Sequence, residues 1–91
     1  MKLRWTAKAA ADLEGIADSL IENAPAHAAR LVNRIYGSIG ELPQFPLRGR
    51  PGRVTGTREY VLPHLPYVVV YTANDKFIHI VRILHGAQKW P

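Results

Sequence analysis

The chain has 91 residues, enough for one small domain spanning 1–91. Its 47% hydrophobic and 21% charged residues place it with globular chains and exclude a disordered tail. The absence of cysteine excludes disulfide scaffolds, cysteine zinc sites and thiol nucleophiles. A chain of this size buries only roughly 60–65% of the surface its unfolded form exposes, so a partner that covers apolar surface would help it. The N-terminus carries Lys2 and Arg4 but runs on into Lys8, Asp12 and Glu14, which is not a signal-peptide pattern. The longest apolar run, Val68 to Tyr71, is far too short to span a bilayer. The expectation is a soluble, cytoplasmic protein with no membrane association.

The net charge of +5 is unevenly placed. Residues 1–45 hold five basic and five acidic side chains and are neutral. Residues 46–91 hold Arg48, Arg50, Arg53, Arg58, Lys76, Arg82 and Lys89 against only Glu59 and Asp75. Arginine dominates this excess, and its planar fork suits phosphate or carboxylate, so nucleic acid or an acidic protein surface is the expected partner.

In chain order, Leu13, Ile16, Ala17, Leu20 and Ile21 repeat at helical spacing behind Thr6, a good N-cap, and predict a helix over 7–23. Pro25 suits the first turn of a second helix, whose stripe is Ala28, Leu31, Val32, Ile35, Ile39 and Leu42 and which Pro43 ends. The short connection predicts an antiparallel helical hairpin. Residues 43–56 are so rich in proline and glycine that no regular element is expected there, and this loop carries Arg48, Arg50 and Arg53. Three strand-like runs follow, at 57–62, 67–72 and 77–84, with hairpin-turn chemistry at Ala73-Asn74-Asp75-Lys76. The run from Tyr67 to Tyr71 is apolar on both faces and suits a central strand. Residues 1–5 could add an edge strand. The expected fold is α+β, with a two-helix hairpin on one face of an antiparallel sheet of three to four strands.

Several segments, in order, resemble one family: Trp5-Thr6 with Asp12-Leu13, Pro25 with Ala28-Ala29-Arg30-Leu31, Leu42-Pro43 with Phe45-Pro46, Gly49-Arg50-Pro51-Gly52, Gly56-Thr57-Arg58-Glu59, Tyr67 with Val70-Tyr71, and Arg82 to Gln88 with Trp90-Pro91. Together they are similar to the RelE/ParE superfamily of type II toxins. The resemblance implies a toxin neutralised by a cognate antitoxin that wraps its helices and sheet, in a toxin–antitoxin hetero-oligomer. It implies no cofactor.

The superfamily contains two activities. RelE-like members cut messenger RNA on the ribosome, whereas ParE-like members are associated with poisoning DNA gyrase, and the shared fold does not choose between them. Metal-independent cleavage needs a base, an acid and phosphate-binding cations, for which Glu59, His85 and Arg82 are the candidates. By strict alternation Arg82 shares a strand face with Ile78, Ile80 and Leu84. Pro66 and Tyr67 stand where ribosome-dependent members usually carry a basic residue, and the arginine loop contains no acid. The Leu84-His85-Gly86-Ala87-Gln88 segment and the Gly-Thr-Arg-Glu step are similar to the ParE branch, which ranks gyrase inhibition ahead of RNA cleavage. Arg48, Arg50, Arg53, Arg58, Arg82 and Trp90 are then the candidate target-binding residues. An inactive, toxin-derived binding module is a third possibility.

Each candidate also has a plainer role. His85 could satisfy backbone groups at a strand end, Arg58 could pair with Glu59, and Arg82 could neutralise a carboxylate on the hairpin. Trp5 and Trp90 could simply fasten the chain ends. His27, His64 and His79 lack partners at metal-ligand spacing, so no metal site is expected.

Overall fold

A computed structural model describes residues 1–86 and 88–91; Ala87, in the C-terminal motif, lies outside the described residues. The elements are β1 (Lys2–Trp5), α1 (Ala7–Asn23), α2 (Ala28–Gly40), β2 (Arg50–Pro51), β3 (Arg58–Val61), β4 (Tyr67–Ala73) and β5 (Phe77–His85). The strands form one sheet in the order β1-β5-β4-β3-β2.

α1 begins where Thr6 places its hydroxyl 3.0 Å from the Ala9 N–H, the expected N-cap bond. α2 starts three residues later than its proline signal, because residues 25–27 make a turn first. Ala9, Ile35, Ile39 and Leu42 meet Val69, Tyr71, Ile78, Ile80 and Ile83 in one core on the helix side of the sheet. The apolar stripe of α1 is only partly used. Leu13 and Ile16 pack against the core, while Ile21 is 61% exposed.

The sheet corrects three expectations. It has five strands and is mixed, since β1 runs parallel to β5 with Leu3 opposite Ile78 and Trp5 opposite Ile80. A parallel pairing is what a right-handed excursion through two helices produces when the chain returns to the same sheet. The loop expected to lack any element contributes β2, two residues paired with Arg58 and Glu59 of β3; Pro51 is tolerated because it lies on an edge strand.

The third correction concerns Arg82. Between Val70/Tyr71 of β4 the register jumps so that Val70 pairs with Arg82 and Tyr71 with Ile80, leaving Val81 as an extra residue. The bulge reverses the alternation. Ile78, Ile80 and Ile83 all reach the helix-side core, so Arg82 and Leu84 are on the other face from Ile78 and Ile80, not with them.

His64, in the turn between β3 and β4, has φ 60°. This left-handed conformation costs a non-glycine residue about 1 kcal/mol. Replacing exposed His64 by Gly is therefore expected to raise stability by about 0.5 kcal/mol, read as a higher urea midpoint with an unchanged slope.

Candidate functional site: an arginine loop, a sealed strand edge and an apolar groove

Two clusters of charged residues occupy opposite edges of the sheet. The first is the arginine loop at the β2–β3 edge. Glu59 of β3 and Arg82 of β5 both pair with Val70 of β4, one from each side, in a row on the face away from the helices. Glu59 is only 3% exposed, and its carboxylate accepts the Arg53 N–H at 2.9 Å and lies 3.4 Å from the Arg50 guanidinium and 3.8 Å from that of Arg53. These contacts hold its pKa below the ordinary value of 4.5, the Arg53 backbone bond contributing most and burial opposing it. Arg50 and Arg53 themselves are 60% and 57% exposed.

The same loop is fastened from the sheet at two more points. The Tyr71 hydroxyl donates to the Pro46 carbonyl at 2.8 Å and accepts the Gly49 N–H at 2.9 Å. Only glycine fits at 49, since a Cβ there would lie 2.8 Å from the Tyr71 ring. Arg58 donates to the Gly49 carbonyl at 2.7 Å. It has no carboxylate partner among the described residues, so the Arg58–Glu59 pair considered above is not formed: neighbours on a strand point to opposite faces. Arg48 pairs instead with Glu41 at 2.8 Å and lies over the Phe45 ring at 4.3 Å, and its pKa is raised chiefly by the Glu41 hydrogen bond.

The second cluster closes the edge of β5 that β1 leaves open beyond Ile80. Thr6 reaches it first, with its N–H on the Ile80 carbonyl and its hydroxyl on that of Val81. Asp12 of α1 then accepts the Ile83 N–H at 2.9 Å and takes the Arg82 guanidinium at 2.7 and 3.0 Å, a two-point pairing. The Asp12 hydrogen bond raises the Arg82 pKa despite partial burial. Arg82 thus neutralises a carboxylate on the hairpin.

The three residues considered for RNA cleavage are not brought together. Glu59 is held into the arginine loop and Arg82 onto α1. His85 is opposite Tyr67, with their rings edge-on at 6.0 Å, in a polar cleft of about 350 Å³ that Asp12, Ser19 and Gln88 also line. Gln88 holds the His85 N–H at 2.6 Å. Trp90 is half-buried, its indole N–H shielded and without an acceptor. Among the described residues no three His, Asp or Glu side chains converge as metal ligands, and no helix is long and apolar enough to cross a membrane.

Sequence reasoning did not single out the outer face of the hairpin. There an open groove of about 440 Å³ is lined by Trp5, Ala10, Leu13, Ala17, Val32 and Tyr36, with Trp5 stacked on Tyr36 at 5.9 Å. A second hollow of about 450 Å³ continues it past Ile21, Pro25 and Ala29, sharing Ala17 and Val32. The signal was the width of the α1 stripe, broader than one sheet contact requires.

Two stability measurements check these assignments. Asp12→Ala leaves a guanidinium and a strand N–H unpaired at a part-buried edge and is expected to cost about 3 kcal/mol, readable by urea unfolding. Because the Glu59 pKa is depressed in the fold, its stabilisation is complete above about pH 5 and is lost as pH falls through the folded value. Glu59→Gln should therefore flatten the acid limb of the stability–pH curve while lowering stability at pH 7.

The comparisons with known proteins agree with this architecture. The family profile described as the ParE toxin of type II toxin–antitoxin systems, parDE, matches residues 3–90. The Y4kP protein of Sinorhizobium fredii is 37% identical over 90 residues, 99% of this chain and 93% of that protein. Toxin RelE2 of Caulobacter vibrioides is 38% identical over 84 residues, 92% of this chain and 93% of its own. Among solved structures, a chain of the chromosomal ParDE toxin–antitoxin system of P. aeruginosa superposes with a TM-score of 0.86 at 35% identity, covering 93% of this chain and 95% of that one. A YoeB/ParE toxin from Agrobacterium tumefaciens, at 19% identity and a TM-score of 0.63 over 93% and 98% of the two chains, shares the fold. The chain belongs to the ParE toxin family of type II toxin–antitoxin systems.

Proposed function

We propose that this toxin acts in the cytoplasm by binding DNA gyrase, through the exposed cations of the arginine loop, and that its cognate antitoxin seats on the groove of the helical hairpin. The observation that carries the reading is the state of the charged residues. Arg82 and Glu59 have their charges satisfied inside the fold, whereas Arg50 and Arg53 share one buried carboxylate and face solvent. A surface with surplus exposed cations is suited to binding a negatively charged partner. The likeness to a ParDE toxin–antitoxin structure supports the gyrase branch; relatives bearing the RelE name make the ribosome the reading to be tested against it.

The antitoxin seat follows from apolar area. Ile21 and Tyr36, 61% and 60% exposed, flank a groove that the chain does not fill, and burying one such side chain is worth about 1.5–3 kcal/mol. An amphipathic segment that folds on binding would cover it.

The test uses toxin separated from its antitoxin, purified gyrase and relaxed plasmid. Inhibition of supercoiling or trapped cleaved DNA is expected, and Arg50→Gln with Arg53→Gln should weaken it about tenfold, the loss of about 1.4 kcal/mol. His85→Ala should leave the inhibition near wild type. Folded toxin that spares gyrase but cuts messenger RNA on ribosomes, with cutting abolished by His85→Ala, would overturn the reading.

A further inference from the structure

We propose that Phe45 and Leu47, projecting from the arginine loop, form a preorganised apolar anchor that inserts into a hollow bordered by acidic groups on a protein target. The proposal deepens the reading above, in that it assigns the target contact to protein rather than nucleic acid.

The first observation is exposure where the chain could have avoided it. Leu47 is 70% exposed and Phe45 49%, and together with Pro46 and Arg48 they frame a shallow apolar hollow of about 440 Å³. A single exposed leucine is ordinary, but two large apolar side chains on one short loop form a patch.

The second observation is that the segment presenting them is held at nearly every residue. The Phe45 N–H bonds to the carbonyls of Glu41 and Leu42, and the Arg48 N–H to that of Phe45. Pro46 and Gly49 are both taken by the buried Tyr71 hydroxyl, and Arg58 holds the Gly49 carbonyl. Arg48 is fixed between Glu41 and the Phe45 ring, which braces that ring from one side. A loop needing only to connect α2 to β2 has no use for so many fastenings. They remove the ordering entropy that an apolar anchor would otherwise lose on binding.

Charge then selects the partner. Arg50 and Arg53 follow the anchor along the same segment with exposed guanidinium groups, so the complementary surface carries acidic groups next to an apolar depression. Duplex DNA would satisfy the arginines but offers nothing to Leu47 at its phosphates. Exposed apolar side chains followed on the same segment by displayed cations suit a protein interface, with a desolvated anchor and a polar surround.

The experiment compares wild type, Leu47→Asp, Leu47→Ser, Tyr71→Phe and the double variant Arg50→Gln with Arg53→Gln. Growth arrest on induction, co-purification with the antitoxin, urea midpoint, gyrase supercoiling and binding of bare duplex DNA are read for each. Both Leu47 variants are expected to need about tenfold more toxin to arrest growth, with unchanged urea midpoint and unchanged antitoxin binding. Tyr71→Phe, which loosens the loop without touching its surface, should weaken arrest several-fold. Wild-type arrest by Leu47→Asp would overturn the proposal, as would loss of antitoxin binding with arrest retained, which would give this face to the antitoxin. Arrest lost only with Arg50 and Arg53, together with tight binding of bare duplex by Leu47→Asp, would give it to nucleic acid. Growth arrest does not depend on which target is poisoned, so gyrase unaffected by wild type removes the gyrase reading while the Leu47 comparison still judges the anchor.

Discussion

An N–H group at the open edge of β5, that of Ile83, must be satisfied, and the carboxylate that satisfies it comes from α1, 71 residues earlier. Asp12 makes this bond and simultaneously accepts two N–H donors of the Arg82 guanidinium, from Nε and one terminal nitrogen. The position of the helical hairpin depends on it. With Thr6 bonded to Ile80 and Val81 a few residues before, α1 is fastened along the strand edge at two points and cannot slide or roll. The hairpin therefore turns a fixed part of its apolar stripe outward, and the groove between Trp5, Leu13, Val32 and Tyr36 exists because that orientation is locked.

The opposite edge works by a different arrangement of the same chemistry. There a buried carboxylate and a buried phenol reach from the sheet into a loop and bind its backbone more than its side chains. Arg53 is held through its N–H, and its guanidinium stays mostly exposed beside the Glu59 carboxylate. The two edges thus separate the arginines of the C-terminal half into those that brace the fold, Arg48, Arg58 and Arg82, and those displayed by it, Arg50 and Arg53. A shared residue type conceals two jobs.

Much of this was legible before any coordinates. α1 runs over the residues its period and its threonine cap indicate, and the β-branched runs mark β3, β4 and β5 within a residue or two. The direction of β1 was not legible, because its partner is 75 residues away and no local pattern encodes a long-range register. The face of Arg82 was misread for a physical reason: the bulge at Val81 changes the alternation, and nothing in Ile80-Val81-Arg82 distinguishes a bulged residue from a paired one. The alternative partner of Arg58, in contrast, was open to correction from sequence, since adjacent strand residues diverge. The fastening of the arginine loop was invisible because glycine and proline signal only that a regular element ends, not that a tyrosine 22 residues on will hold the turn.

The place of β1 beside β5 also sets the order in which a newly made chain can acquire its shape. The first strand and both helices emerge from the ribosome before the strand that they pair with and cover. Until the ninth decade of residues has been synthesised, the hairpin has no sheet beneath it and the sealed edge has no strand to seal. A chain that stops before β5 thus lacks both the sealed edge and the sheet beneath the hairpin, and the hairpin's orientation is fixed only once that strand is in place.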